Sequence, residues 1–199
     1  MSKTRLPKLK SLCVFCGSAA GSDPRWREAA VRLGHVMAGE DVQLVYGGGH
    51  LGLMGALAEA VMGNGGRVVG IIPEHLTRVE KAFTEITELH IVDSMHTRKR
   101  RMFDLADAFA VLPGGMGTMD ETFEMLTWKQ LRLHHKPIIV INQDGYWTPW
   151  LQLASAIIAN GFAHAETARL YTVVDDVGEV LPTARSEMIH AAGGEPKLF

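Results

Sequence analysis

Short apolar runs alternate with stretches of helical spacing along nearly the whole chain, and glycine or proline punctuates the junctions. Strands are expected at Leu12–Gly17, Val42–Tyr46, Arg67–Ile72, Leu89–Val92, Phe109–Leu112, Pro137–Ile141 and Tyr171–Val174. Helices are expected at Pro24–Ala38, Leu53–Met62, His96–Ala106, Met119–His134, Thr148–Asn160 and Val177–Met188, the last kinked or restarted at Pro182. Several strands are continuous apolar runs, as they must be when helices cover both faces of a parallel sheet. Strict β-α alternation therefore predicts a doubly wound, Rossmann-like α/β fold with a mainly parallel sheet. A single nucleotide-binding domain is expected over residues 11–190, with frayed ends at 1–10 and 191–199.

In such a sheet, ligands sit beyond the carboxyl ends of the strands. Glycine marks three of those ends: Cys16-Gly17-Ser18, Gly47-Gly48-Gly49 and Gly114-Gly115-Met116-Gly117. The third opens into Thr118-Met119-Asp120-Glu121, so it can offer backbone N–H groups to an anion beside a carboxylate. Thr118 and Glu121 also have the spacing of a capping box, with Thr118 as N-cap and Glu121 at N3. Gly47-x-Gly49-x-x-Gly52 formally matches a dinucleotide fingerprint, but it follows the second strand, and the candidate ribose acid Glu74 falls after Pro73. No Gly-Lys-Ser/Thr follows any of these glycines, which excludes a Walker loop.

Met95-His-Thr-Arg-Lys-Arg-Arg101 carries the next signal. A helix starting after Ser94 places Met95, Arg98, Met102 and Leu105 on one stripe, so Arg98 occupies a core position. Cations in the first half of a helix oppose its dipole, which makes sense if an anion lies above that end. Arg98 is therefore a candidate ligand residue, with Lys99 and His96 beside it. His134 and His135, closing the fourth helix, suit the dipole there as cations.

Other classes fall away. Net charge is −2, so no global basic field recruits nucleic acid. No apolar run approaches the roughly 20 residues of a membrane span, and Leu12–Cys16 is too short for a signal core, so the expected location is the cytoplasm. Cys13 and Cys16 are spaced as a redox pair, yet they lie in a strand, where that spacing sends them to opposite faces. They read as buried structural thiols. No histidine spacing resembles a zinc set, and neither a metal nor a cofactor is expected.

Pro113-Gly-Gly-Met-Gly-Thr-Met-Asp-Glu121 resembles the P-G-G-x-G-T-x-x-E signature of the LONELY GUY family of cytokinin riboside 5′-monophosphate phosphoribohydrolases. Cys16-Gly17-Ser18, Tyr46–Gly49 with Gly52-Leu-Met-Gly55, Met95-His-x-Arg-Lys99 and Thr127-Trp128 follow in family order. The resemblance implies a homodimer that hydrolyses a purine nucleoside 5′-monophosphate, of cytokinin or AMP type, to free base and ribose 5-phosphate. It implies Arg98 and Glu121 as the catalytic pair and Gly114, Gly115, Gly117 and Thr118 as the phosphate loop. Lys99, Glu80 and Thr127 are implied as further substrate contacts, and Gly17, Ser18, Gly48, Met95 and His96 as candidates at the same rim. Arg132 stands where relatives often carry glycine, which bears on the pocket edge or dimer contact. The rival reading is a nucleotide or phosphorylated-cofactor carrier on the same fold, without catalysis.

Overall fold

The computed structural model describes residues 8–193. Seven strands form one parallel sheet: β1 (Ser11–Phe15), β2 (Gln43–Tyr46), β3 (Val68–Pro73), β4 (Glu88–Val92), β5 (Ala108–Val111), β6 (Ile138–Ile141) and β7 (Thr172–Val174). Their order is β4-β3-β2-β1-β5-β6-β7, all parallel, which is the doubly wound arrangement. β1, β5 and β6 are buried at every residue, which explains why they read as unbroken apolar runs.

Six helices cover the sheet: α1 (Pro24–Gly39), α2 (Gly52–Gly63), α3 (Met95–Leu105), α4 (Met116–Gln130), α5 (Thr148–Ala159) and α6 (Val180–Gly193). One core joins α1, α2 and α6 to Leu12, Val14 and Cys16. The other joins α3, α4 and α5 to Cys13 and Phe15. Cys13 in β1 and Cys16 just after it thus face opposite sides of the sheet, both buried and both free. A 3-10 turn at Val177–Glu179 precedes α6, and Pro182 falls in that helix's first turn, where its missing N–H costs nothing. Leu9 is buried, the Lys10 amide donates to Asp107, and residues 191–193 belong to α6; of the residues expected to fray, 1–7 and 194–199 lie outside the described ones.

α4 departs from its expected bounds at both ends, starting at Met116. It ends at Gln130, where Arg132 adopts φ +59 and the amides of Arg132 and Leu133 donate to Lys129 and Trp128. This is a Schellman terminus with Arg132 at the left-handed position that glycine favours. Beyond it His134 is buried. Its Nδ1 accepts from the Lys136 amide, so Nε2–H donates to Met125 O at 2.9 Å. Burial pushes its pKa down to about 4, so it is a neutral core residue rather than a dipole-capping cation.

The α1–α2 contact depends on Gly34. A Cβ there would lie 2.7 Å from Ala60 Cβ and 2.9 Å from Leu57 O. Gly34→Ala should therefore force the helices apart and destabilise the protein by about 1–3 kcal/mol, read as a lower thermal midpoint. An unchanged midpoint would show that the two helices do not pack this closely.

Candidate active site

The sheet's winding reverses between β1 and β5, and the site lies at their carboxyl ends, where ligands bind on such folds. The loops are tied together there: Gly17 N–H donates to Pro113 O at 3.0 Å, and Leu53 N–H donates to Gly17 O at 3.0 Å. Between them opens a cavity of about 230 Å³. Nine of the expected residues line it: Gly17, Ser18, Glu80, Met95, Arg98, Gly115, Gly117, Thr118 and Glu121.

The capping box is not formed. α4 begins at Met116 with Gly115 as its N-cap, so Thr118 is already inside the first turn. Glycine at the cap lets the helix start earlier than the Thr118–Glu121 spacing suggests, which frees Glu121 from capping altogether. The helix therefore presents uncapped N–H groups to the cavity, a ready anion site. Gly114 is needed for close approach, since a Cβ would lie 2.1 Å from Thr118 Oγ1 and 2.9 Å from Gly17 N. At Gly115 and Gly117 a Cβ would meet nothing within 4 Å, so their bareness leaves room for a ligand.

Arg98 is 5% exposed, buried on α3 together with Met102 as the stripe predicts. Ser94 caps this helix through the Thr97 amide. The Arg98 guanidinium lies between two carboxylates, 3.8 Å from Glu121 Oε1 and 3.9 Å from Glu80 Oε2. These are ion pairs too long to be hydrogen bonds, and Arg98 Nε and Glu80 Oε2 are buried without hydrogen-bond partners. Buried polar atoms left unpaired in this way point to a ligand. Burial pushes the Glu121 carboxyl up to about 7; Arg98 pulls against the shift, while Glu80 and Asp120 add to it. Near neutral pH it can thus be a proton acceptor or donor.

Backbone pairing brings Glu80 in from its loop. His50 N–H donates to Glu80 O, Phe83 N–H donates to Gly48 O, and Gly49 pairs with Ala82. The triplet Gly47–Gly49 serves this packing. A Cβ on Gly47 would fall 2.0 Å from Arg98 Nη2, one on Gly48 would meet β3, and one on Gly52 would strike the Ser18 carbonyl. The fingerprint glycines are accounted for by protein contacts.

Five expected residues lie away from the cavity lining: Gly48, His96, Lys99, Gly114 and Thr127. Gly48 and Gly114 support residues that do line it. His96 is exposed on α3. Lys99 Nζ reaches Glu124 at 2.8 Å and Asp120 at 3.1 Å, joining α3 to α4. Thr127 lines a separate apolar cavity between α4 and α5, and its hydroxyl donates to Phe123 O. Met54 and Leu76 complete the apolar wall; Met54 lies within the Gly52-Leu-Met-Gly55 motif, but an apolar residue at a helix start or turn otherwise looks like core, and Leu76 carries no signal of its own. Among the described residues no helix is long and apolar enough to cross a membrane, and no cluster of three or more His, Cys, Asp or Glu could hold a metal.

Comparison with known proteins gives the same picture. Residues 54–184 match a family model described as "possible lysine decarboxylase". The chain is 42% identical over 181 residues to the cytokinin riboside 5′-monophosphate phosphoribohydrolase of Rhodococcoides fascians, covering 90% of this chain and 91% of that protein. It is 40% identical to an Arabidopsis thaliana protein of the same name, covering 87% and 80%. Among solved structures, the molybdenum cofactor binding protein of Rippkaea orientalis shares the fold, with a TM-score of 0.68 at 19% identity over 90% of this chain and 97% of that one. With the glycine loop, the buried arginine and the carboxylate in one cavity, the chain belongs to the LONELY GUY family of cytokinin riboside 5′-monophosphate phosphoribohydrolases.

Proposed function

We propose that this protein hydrolyses the N-glycosidic bond of a purine nucleoside 5′-monophosphate, releasing the free base and ribose 5-phosphate. The observation that carries the reading is Glu121, a carboxyl with a pKa of about 7, set 3.8 Å from Arg98 in a cavity that a helix N-terminus faces. The 5′-phosphate binds the N–H groups at Gly115–Thr118 and the Gly17–Ser18 turn, and its remote binding energy orients the sugar. Met54, Leu76 and Met95 give the base an apolar wall. As the C1′–N bond breaks, its electron pair goes to the base nitrogen, which leaves protonated as free base, and positive charge develops on the ribose. Ionised Glu121 stabilises that charge and takes a proton from the attacking water. Arg98 holds the ribose phosphate and keeps Glu80 and Glu121 in place.

The carrier reading needs the phosphate cradle but gains nothing from a carboxylate facing a bound anion. A decarboxylase acting through a pyridoxal Schiff base fits the residues poorly. No lysine lines the cavity, and although burial works against its charge, the Glu124 and Asp120 contacts hold the Lys99 ammonium above its usual range. A homodimer in the cytoplasm belongs to the same proposal; Leu131, Leu133 and Phe162 are exposed beyond the ends of α4 and α5, as a partner surface requires. Incubation with AMP and with N6-prenylated AMP, followed by separation of bases and sugar phosphates, tests the activity. Stoichiometric free base and ribose 5-phosphate are expected. Tight binding of both nucleotides with no base released would establish the carrier instead.

A further inference from the structure

Tyr146, in the turn between β6 and α5, donates its hydroxyl to the Gly114 carbonyl at 2.7 Å. The two residues are 32 apart in the chain, so the bond joins separate loops at the rim of the cavity. We propose that Tyr146 is a positioning residue for the phosphate loop: it anchors the Gly114–Gly115 peptide so that the Gly115 N–H faces the anion. The inference rests on the phosphate-binding role assigned above to that loop.

The geometry of the peptide unit carries the proposal. A trans peptide is planar, so its C=O and N–H point in opposite directions. Holding Gly114 O on the Tyr146 side therefore turns Gly115 N–H away from it. Gly115 lines the cavity and is the N-cap of α4, so its N–H has no partner within the helix. Glycine on both sides of the bond leaves that peptide free to flip unless something fixes it. Gly114 already abuts Gly17 and Thr118, and Tyr146 supplies the third point of attachment.

The tyrosine is itself braced. Its ring meets Trp26 edge-on at 5.2 Å and Trp147 at 4.9 Å. The turn before it has Asp144 and Gly145 at positive φ, and Asp144 pairs with Arg25 of α1 at 3.1 Å. The β6–α5 turn is thus strapped to the start of α1, beside the Gly17–Ser18 end of the cradle. Nothing in the sequence marks Tyr146, because its partner is a backbone carbonyl in a distant loop.

Tyr146→Phe keeps both ring contacts and deletes only the hydroxyl. The expected result is KM for AMP raised about fivefold to tenfold with kcat within twofold, the loss of one hydrogen bond expressed in binding. Inhibition by ribose 5-phosphate should weaken by the same factor, whereas inhibition by adenine should not change. A general structural defect would lower kcat and weaken both inhibitors together, and that outcome would overturn the proposal. So would unchanged ribose 5-phosphate inhibition in a variant of wild-type thermal stability. Wild-type protein that binds ribose 5-phosphate but releases no base would instead count against the hydrolase reading, while the binding comparison still decides the role of Tyr146.

Discussion

Glu121→Gln should abolish base release from AMP, with a loss on the order of 10²–10⁴-fold in kcat, while nucleotide binding persists. The amide fills the same space but cannot neutralise an oxocarbenium-like charge or accept a proton. Because α4 is capped by Gly115 and not by Thr118 with Glu121, the substitution removes no helix cap. The wild-type pH profile follows from the same carboxyl. If ionised Glu121 is the active form, kcat/KM rises with pH and levels off near 7.

Stability moves the opposite way. The folded pKa of about 7 lies above the ordinary glutamate value of 4.5, so between them the native state binds more protons than the unfolded chain. The stabilising contribution of neutral Glu121 is complete below about 4.5 and is lost as pH rises through about 7. Over that window the wild type should lose up to roughly 3 kcal/mol that Glu121→Gln retains. Thermal midpoints of the two proteins, measured from pH 4.5 to 8, should therefore separate as pH rises. Parallel curves would show that burial does not raise the Glu121 pKa, and a variant with wild-type turnover would remove Glu121 from the mechanism.

Gly47→Ala should cost about 10²-fold in kcat/KM without unfolding the protein. Its Cβ would sit 2.0 Å from Arg98 Nη2 and 3.1 Å from Met54 Sδ, both ends of flexible side chains. The backbone can stay in place while the guanidinium swings out of line with Glu80 and Glu121. A misplacement of about 1 Å in a reacting constellation is enough for a loss of that size. Circular dichroism and thermal melting should stay near wild type, and the defect should appear in turnover. A fully active Gly47→Ala would mean that Arg98 does not occupy this position during the reaction.

Much of this was legible in the residues. Continuous apolar runs, Gly17, the Pro113–Glu121 loop and an arginine on an apolar stripe are local signals, since burial on both sheet faces and helical periodicity leave marks in the order of residues. The capping box failed as a local rule. Thr118 to Glu121 has the right spacing, yet a helix can begin at the first glycine that permits it, and Gly115 lies three residues earlier. For Lys99 the sequence offered only its place in the motif; the structure adds that its ammonium pairs with Asp120 and Glu124 of α4.

The sequence by itself determined the doubly wound sheet and brought Arg98 and the Glu121 loop to one sheet edge, because each depends on periodicity or on loops that parallel connectivity brings together; their reading as a catalytic pair came from the family resemblance. Only the tertiary structure decided the protonation of Glu121, the role of Gly47 and the tie from Tyr146 to Gly114. Each of these is set by atoms more than thirty residues apart or by burial from several elements at once, and no pattern along one stretch of chain encodes such a distance.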